Sequence, residues 1–333
     1  MAAPRFDVLG IGNAIVDVIA RTDDDFLVAQ KMQKGGMALI DEARATAIYD
    51  AMGPAIQISG GSAANTIAGI ASFGARAAFV GKVKDDEVGR IFHHDITKAG
   101  VTFETRAAAD GPSTARSYIM VTPDGERTMN TFLGAAQNLH SKDIDEKQIA
   151  DAAITYLEGY LWDPQDAKAA FLKAAKIAHD ARRMVALTLS DAFCVDRYRG
   201  EFLKLLRDGV VDLLFANEAE LKSLYETADF DAAMAALRRD AKLSAVTRSE
   251  KGCVVVSPEK IEAVPAAPVQ RVVDTTGAGD LFAAGFLAGI ARGRDHVTAG
   301  KLGALAAAEV IQHLGARPET SLKALAQENG LAV

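Results

Sequence analysis

The chain has 333 residues, of which 49% are hydrophobic and 24% charged, which allows one large core or two modest ones and argues against long disordered stretches. The net charge is −7, and no basic stripe typical of nucleic-acid binders is visible. Residues 1–20 lack a signal-peptide layout, and the longest uncharged apolar run is too short to span a bilayer. We therefore expect a cytoplasmic protein that binds neither nucleic acid nor membrane.

Short β-branched runs alternate with amphipathic stretches of helical length along the chain. This alternation predicts an α/β fold with a doubly wound, mostly parallel sheet flanked by helices, in a single domain of residues 1–333. The predicted strands are 6–10, 77–81, 153–157, 185–189, 212–215, 245–247 and 254–257. The predicted helices are 62–73, 86–98, 165–182, 197–207, 231–239, a short one from 218, and two more beginning near 278 and 296.

Two stretches interrupt this alternation. Residues 14–40 and 101–132 are rich in strand-forming residues with turns between them, and neither has a helical pattern to match its length. We expect them to form a small β-sheet inserted in the domain. Such a sheet beside a doubly wound fold commonly serves as a lid, although ordinary surface hairpins would give the same pattern.

The most informative motif is the segment 274–280, which reads Asp-Thr-Thr-Gly-Ala-Gly-Asp and leads directly into an apolar helix. A Gly-Ala-Gly turn at a helix start leaves backbone N–H groups unpaired, and these groups and the helix dipole together can bind a phosphate or a developing oxyanion. Asp280 lies in the first turn, where it could take a proton from an attacking hydroxyl. A helix start with an acidic first turn would have the same residues.

A second motif, Ser-Gly-Gly-Ser-Ala-Ala-Asn at 59–65, joins a predicted strand to a predicted helix. Gly60 and Gly61 would let a ligand approach the backbone, and Ser62 is a natural helix cap. Asn65 follows one turn later with donors and acceptors facing the same place. This chemistry suits sugar hydroxyls, although many strand–helix turns contain Gly-Gly-Ser.

A third element is the pair Asn217 and Glu220, directly after the predicted strand 212–215. Loops at the carboxyl ends of strands line the crevice of doubly wound folds. The two residues share one helix face and could hold hydrated Mg²⁺ near phosphates. The simpler interpretation is a helix start enriched in acidic residues.

Several competing signatures are absent from the sequence. Gly10-Ile11-Gly12 begins like a dinucleotide fingerprint, but Ile15 stands where the third glycine belongs, which disfavours an oxidoreductase. There is no Gly-x-x-x-x-Gly-Lys-[Ser/Thr] phosphate loop, no His-Arg-Asp loop of protein kinases and no His-Glu-x-x-His zinc motif.

Together the three elements resemble those of the ribokinase-like carbohydrate kinases, the PfkB family, in their usual order over nearly the whole chain. The resemblance implies a ribokinase-like fold, ATP and Mg²⁺ as cofactors, and a substrate hydroxyl as phosphoryl acceptor. Asp280 would be the base, and the N–H groups of Gly277, Ala278 and Gly279 would stabilise the transferring phosphoryl group. Asp274 and Thr276 are the candidates for a monovalent cation such as K⁺.

Within that family, the segment 12–17, Gly-Asn-Ala-Ile-Val-Asp, is similar to adenosine kinases. By this resemblance Arg127 would meet the transferring phosphate. The residues implied to hold the ribose are Asn13, Asp17, Gly60, Gly61 and Asn65. The residues implied to cover adenine as an apolar lid are Met37, Leu39, Met129 and Leu133, which would equally suit the core of a small sheet.

The chain also departs from the family pattern. The usual Thr-x-Gly-x-x-Gly nucleotide loop reads Thr247-Arg-Ser249-Glu-Lys-Gly252, with Ser249 in place of a glycine. Thr276 follows the sugar-kinase form of its motif rather than that of eukaryotic adenosine kinases. We expect a kinase that phosphorylates the 5′-hydroxyl of adenosine, with a ribose or fructose kinase, an inosine or guanosine kinase and a non-catalytic ligand-binding regulator as alternatives. The sequence leaves open whether the protein is a monomer or a homodimer.

Overall fold

The computed structural model describes residues 3–333. The strands are β1 Phe6–Ile11, β2 Ile15–Arg21, β3 Met37–Leu39, β4 Ile56–Gly60, β5 Ala77–Val80, β6 Val101–Phe103, β7 Ala115–Val121, β8 Arg127–Phe132, β9 Ala152–Glu158, β10 Met184–Thr188, β11 Leu213–Asn217, β12 Leu243–Thr247, β13 Cys253–Val256 and β14 Ile261–Val264. The α-helices are α1 Asp24–Ala29, α2 Glu42–Ala51, α3 Ser62–Ser72, α4 Glu87–Lys98, α5 Glu146–Ala150, α6 Gln165–Asp180, α7 Ala192–Arg207, α8 Glu218–Leu224, α9 Phe230–Asp240, α10 Ala278–Ala291, α11 His296–Val310 and α12 Leu322–Glu328. Short 3₁₀ helices lie at Gly134–Asn138, Ser141–Asp143, Gly159–Trp162 and Ser249–Lys251.

Nine of these strands form one large sheet in the order β14-β13-β12-β11-β10-β9-β1-β5-β6. Its pairs are parallel from β12 through β6, and only β13 and β14 are antiparallel additions at one edge. The predicted α/β, mostly parallel architecture is therefore confirmed. The strand order reverses at β1, which lies between β9 and β5, so a ligand crevice is expected beyond the carboxyl ends of these three strands.

The central strand β1 is buried over its whole length because helices cover both faces of the sheet. Val8 belongs to a core shared with α3, α10 and α11, whereas Leu9 and Ile11 belong to a second core with α6 and α7 on the opposite face. Helices α3 and α10 pack very closely: a Cβ added at Gly69 would lie 2.7 Å from the Cβ of Ala284. This packing brings the starts of two helices together that are far apart in sequence.

The second sheet has five strands in the order β3-β8-β7-β2-β4. Helix α2 packs against β7 and β8 and covers one face with buried Ala45 and Ile48. The opposite face carries Asp17, Ile19 and Ile119, because these residues share a side with their register partners in the neighbouring strands. Strand β1 ends just before β2 begins, so the carboxyl end of β1 leads directly into this second sheet.

The structure corrects the predicted bounds of the small sheet at three places. Residues 14–40 do contain a helix, α1, which begins where the side chain of Asp23 accepts a hydrogen bond from Phe26 N (2.9 Å). Strand β6, within the predicted 101–132 segment, pairs with β5 in the large sheet. Strand β4, outside both predicted segments, belongs to the small sheet through its pairing with β2. The sequence predicts a strand before Ser59, but its pairing with β2 and hence its place in the small sheet were not predicted.

One helix start and one helix cap also differ from the sequence-based expectation. Helix α7 begins at Ala192, five residues before the predicted 197, because the side chain of Asp191 caps it by accepting from Cys194 N (2.6 Å). Helix α3 has Gly61, not Ser62, as its N-cap, and the Ser62 hydroxyl donates a hydrogen bond to Asp280 instead. Over residues 3–333, no helix is long and apolar enough to cross a membrane.

Candidate active site

Asp280 lies in the first turn of α10 and is held by side chains from the first two turns of α3. The Ser62 hydroxyl donates to Oδ1 at 2.6 Å, and Asn65 Nδ2 donates to Oδ2 at 3.1 Å. Burial raises the pKa of Asp280 above its ordinary value, although these two hydrogen bonds and the charge of Arg317 oppose the rise. A carboxylate that is fixed in position and made more basic has the properties of a general base.

The backbone just before Asp280, at the start of α10, is open to a ligand. Gly277 is the N-cap of α10 with φ +79°, a left-handed conformation that suits glycine, and a Cβ there would lie 2.7 Å from the Cβ of Ala316. A Cβ on Gly279 would meet nothing within 4 Å, so the helix start is accessible to a ligand. The N–H of Ala278, however, donates to Thr275 O (3.2 Å). Of the three predicted anion-binding N–H groups, those of Gly277 and Gly279 have no acceptor within residues 3–333.

The segment 59–65 surrounds a second carboxylate, that of Asp17. Gly60 pairs with Ile15 at the end of β4, and a Cβ added to Gly60 would lie 2.3 Å from Asp17 Oδ2. Gly61 has φ +96°, and a Cβ there would lie 2.3 Å from Asn13 O. Burial raises the pKa of Asp17 to about 6, against the attraction of Arg127 and Arg317. Both glycines are therefore needed for this close approach to the predicted substrate residues.

Glu158, at the end of β9, was not recognised from the sequence. It is 1% exposed and accepts hydrogen bonds from Asn13 Nδ2 (2.5 Å), Asn13 N (3.3 Å) and Ala63 N (2.8 Å). Burial raises its pKa to about 7, although these donors favour the charged form. The carboxylate thus ties the turn after β1 to the first turn of α3. A single glutamate in a strand gives no local sequence signal, because its partners are distant in sequence.

Arg127, at the start of β8, connects the small sheet to the anion-binding loop. Its Nη1 forms an ion pair with Asp274 Oδ2, and both side chains are nearly inaccessible to solvent. Asp274 also accepts from Gly315 N and Thr276 N, both at 2.9 Å. Burial alone would raise the pKa of Asp274, but these bonds and Arg127 lower it. Arg127 thus already neutralises the charge of this carboxylate. The suggested K⁺ site at Asp274 and Thr276 stays a prediction.

Arg317 is a second residue that sequence reasoning missed. Its Nη2 donates to the carbonyl of Ser59 (2.9 Å) and to the Ser59 hydroxyl (3.0 Å), directly before Gly60. It lies in the turn after α11, in a segment with no motif of its own, and only the fold brings it to the site.

Four of the eleven buried side-chain polar atoms that lack a partner in the described chain belong to these same residues. They include two acceptors, Asn13 Oδ1 and Asn65 Oδ1, and two donors, Arg127 Nε and Arg317 Nε. Native proteins rarely leave such atoms unpaired outside functional sites. Acceptors suit the hydroxyl protons of a sugar, and guanidinium donors suit phosphate oxygens.

The small sheet presents an apolar surface beside Asp17. On one face Ile19 pairs with Ile119, Ile119 with Met129 and Met129 with Met37. Met37 is 51% exposed and Leu39, in the same edge strand, is 55% exposed, so neither is core of the small sheet. Leu133 follows β8 and is partly buried. The structure thus places these apolar residues on and beside one sheet, next to the predicted ribose-binding carboxylate.

The predicted nucleotide-binding residues lie at the carboxyl ends of β11 and β12, where Asn217 pairs in register with Thr247. Asn217 and Glu220 form a capping box: Asn217 Nδ2 donates to Glu220 Oε1 (2.6 Å) and Glu220 N donates to Asn217 Oδ1 (2.8 Å). Burial raises the pKa of Glu220 to about 7. Ser249 has φ +51°, and Gly252 has φ +82° with no room for a Cβ beside Val264 O. Ser249 therefore keeps a backbone conformation that glycine would adopt more easily.

Comparison with known proteins identifies the family of the chain. The pfkB family carbohydrate kinase profile matches residues 56–323, so the chain belongs to that family. It is an ATP-dependent kinase that phosphorylates a hydroxyl group.

Three individual relatives act, by their names, on nucleosides or sugars. The chain is 54% identical to the adenosine kinase of Sinorhizobium meliloti (TM-score 0.91, covering 98% of this chain and 99% of that one). It is 52% identical to a probable sugar kinase protein of Rhizobium etli CFN 42 (TM-score 0.93, covering 99% and 100%). It is also 32% identical to an ATP-dependent ribose-1-phosphate kinase of Halopiger xanaduensis over 238 residues, 70% of this chain and 73% of that one. Both nucleoside and sugar kinases are thus among its relatives.

Proposed function

We propose that this kinase transfers the γ-phosphoryl group of ATP to the 5′-hydroxyl of adenosine, giving AMP and ADP. The observation that carries the proposal is the apolar face of the small sheet beside Asp17, which includes Met37, Met129 and Ile119. A purine base needs such a surface, whereas a free sugar does not. Identity of 54% to an adenosine kinase over nearly the whole chain supports the same substrate.

In this proposal the ribose lies between Asp17 and the start of α3. Asp17 accepts hydrogen bonds from ribose hydroxyls, and the unpaired oxygens of Asn13 and Asn65 accept hydrogen bonds from others. Gly60 and Gly61 allow the sugar to lie against the backbone. The 5′-hydroxyl then points towards Asp280, whose carboxylate is already oriented by Ser62 and Asn65.

Asp280 takes the proton of the 5′-hydroxyl as its oxygen attacks the γ-phosphorus, and the bond from that phosphorus to the ADP oxygen breaks. Charge on the phosphoryl oxygens is stabilised by the N–H groups at the start of α10, chiefly those of Gly277 and Gly279. Arg127 has a free Nε donor and reaches the same region through its ion pair with Asp274. The small sheet closes over the base as a lid and excludes water from the reaction.

The nucleotide-binding side is assigned to the ends of β11 and β12. Thr247, Ser249 and Gly252 line the loop that follows β12, and Asn217 and Glu220 begin α8 next to it. No cluster of three or more metal-ligating side chains occurs within residues 3–333. Mg²⁺ would therefore be held mainly by the ATP phosphates and water, with Glu220 contacting its hydration shell, and would supply charge neutralisation at the phosphates.

A sugar kinase is the second candidate, favoured by the family and by the identity to the probable sugar kinase protein. It would share Asp280, Asp17 and the anion-binding turn but leave the exposed apolar residues of β3 without a role.

The test is ADP release by the purified protein with ATP and Mg²⁺ and a panel of adenosine, inosine, guanosine, ribose and fructose. We expect kcat/KM for adenosine to exceed that for the free sugars by at least about 100-fold, because only the nucleoside buries a base. Equal or greater turnover of ribose or fructose would refute the adenosine assignment and leave the role of Asp280 intact. Product identity is checked by separating AMP from ribose 5-phosphate.

A further inference from the structure

The turn that follows α11 lies against the anion-binding loop. The N–H of Gly315 donates to Asp274 Oδ2 at 2.9 Å, and Ala316 blocks the space that a Cβ on Gly277 would occupy. The side chain of the next residue, Arg317, extends from this turn to Ser59 in strand β4 of the small sheet. Two parts of the site that are far apart in sequence are thus joined through one short turn.

The guanidinium of Arg317 is bonded to the strand that precedes the substrate glycines. Both of its bonds, at 2.9 and 3.0 Å, go to Ser59, whose N–H donates to Asp95 Oδ2 at 2.7 Å. Ser59 is 1% exposed and is followed by Gly60, which lies against Asp17. Arg317 therefore fixes the end of β4 through Ser59. Its buried Nε has no acceptor in the described chain.

The charge of Arg317 acts on the carboxylates of the site. Burial lowers its pKa to about 10, while Asp95, Asp17 and Asp280 favour its charged form, so it is a cation at neutral pH. The other titratable groups that act on Asp280 or are acted on by it are Asp17 on β2, Glu158 and Tyr156 on β9, and Tyr160. In the described chain Arg317 is the cation that acts on Asp280, and it also acts on Asp17, whereas Arg127 acts on Asp17 and Asp274.

We propose that Arg317 is a positioning residue for phosphoryl transfer, which holds the substrate strand against the anion-binding loop and supplies the charge that keeps Asp280 ionised. The inference rests on the proposed role of Asp280 as the base. A buried carboxylate becomes harder to ionise when a substrate displaces water, and a fixed cation nearby offsets that cost. An arginine that only anchored Ser59 would not affect ionisation.

Two substitutions separate charge from anchoring. In R317Q the charge is lost and the shorter side chain weakens the contact with Ser59, so the acid limb of the kcat/KM profile is expected to move to higher pH by about one unit. In R317K the charge remains but the two-bond contact is lost, so kcat/KM should fall while the acid limb stays within about 0.3 unit of wild type. The sign follows because removing a positive charge raises the pKa of a nearby carboxyl group.

The matched control is R238Q. Arg238 also donates to a backbone carbonyl, that of Pro258, but from the exposed surface of α9. We expect its pH profile to equal that of wild type. All proteins are assayed with whichever hydroxyl substrate the wild type phosphorylates best, so an error in the adenosine assignment shows in the wild type and an error about Arg317 shows only in its variants.

An acid limb in R317Q that coincides with wild type, in a protein of unchanged thermal stability, would overturn the proposal. Loss of activity by the same factor at every pH in both variants would do so too, since that is the result of simple anchoring. If R317Q does not fold, R317K alone decides: an acid limb displaced by about one unit in a variant that keeps the charge contradicts the inference.

Discussion

At the scale of single residues, the site depends on a few carboxylates whose surroundings differ. Asp280 is oriented by a hydroxyl and an amide, Glu158 by backbone and side-chain N–H groups, and Asp274 by an arginine. Burial raises the pKa of the first two, whereas the bonds made to Asp274 outweigh burial and lower it. Carboxylates with diverging pKa values in one site commonly have different roles. Here Asp280 is suited to accept a proton and Asp274 to stay charged.

Replacing Asp280 with asparagine tests the first of these roles. The amide can keep the partners of the carboxylate but cannot accept the proton, so we expect D280N to lose about 100-fold or more in kcat with substrate binding little changed. Steady-state kinetics and calorimetric substrate binding measure the two effects separately. Asp166→Asn is the matched control, because Asp166 also lies in a helix first turn but on the surface. Near-normal kcat in D280N would remove Asp280 from the mechanism.

At the scale of elements, the edge strand β3 is the feature on which the proposed nucleoside substrate depends. Its three residues are all exposed, and it pairs only with β8. An exposed apolar edge strand is unfavourable unless something covers it. In the proposed function the cover is the purine base.

Met37→Ala measures this contribution. Because Met37 is 51% exposed, its truncation should cost little stability, but we expect the KM for adenosine to rise about 10-fold as buried apolar area is lost in the complex. Ile261→Ala is the control, since Ile261 is equally exposed (50%) in the edge strand β14 and should leave KM unchanged. An unchanged KM in M37A would mean that β3 does not contact the substrate.

Much of the fold and site could be predicted from local sequence. The alternation of strands and helices predicted the large sheet, and the glycine-rich segments predicted the turns before α3 and α10. Glu158 and Arg317 could not be predicted, because each acts on partners brought near by the fold, as Glu158 does on Ala63. The membership of β4 in the small sheet was also missed, since local sequence predicts a strand before Ser59 but not its pairing with β2.

At the scale of the whole molecule, the buried carboxylates carry a cost for stability. Burial raises the pKa of Asp17 to about 6 and the pKa values of Glu158 and Glu220 to about 7. At a pH between the ordinary pKa of a carboxyl group and these raised pKa values, the native state therefore binds more protons than the unfolded chain. Their contribution to stability is therefore present at low pH and falls as the pH rises through that range. Asp7 and Asp212 have lowered pKa values, so the stability that they contribute is lost as the pH falls. That loss occurs only at more acidic pH.

We accordingly expect the Tm of the unliganded protein to be higher at pH 5.5 than at pH 8 by several degrees. A change of one pKa unit corresponds to about 1.4 kcal/mol, so three such groups together account for a few kcal/mol after screening. Differential scanning fluorimetry at constant ionic strength measures the difference. E158Q should flatten the profile, whereas the surface control E328Q should not. A Tm that rises from pH 5.5 to pH 8 would contradict the expectation.

The strand order has a consequence for folding during synthesis on the ribosome. Strand β1 is among the first segments to emerge, yet one of its two neighbours, β9, ends only at Glu158, and β2 must await β7, which ends at Val121. Nearly half the polypeptide is therefore synthesised before the central strand has both partners. During that interval its apolar residues are exposed to solvent or to other chains, which raises the risk of aggregation before the native sheet can form.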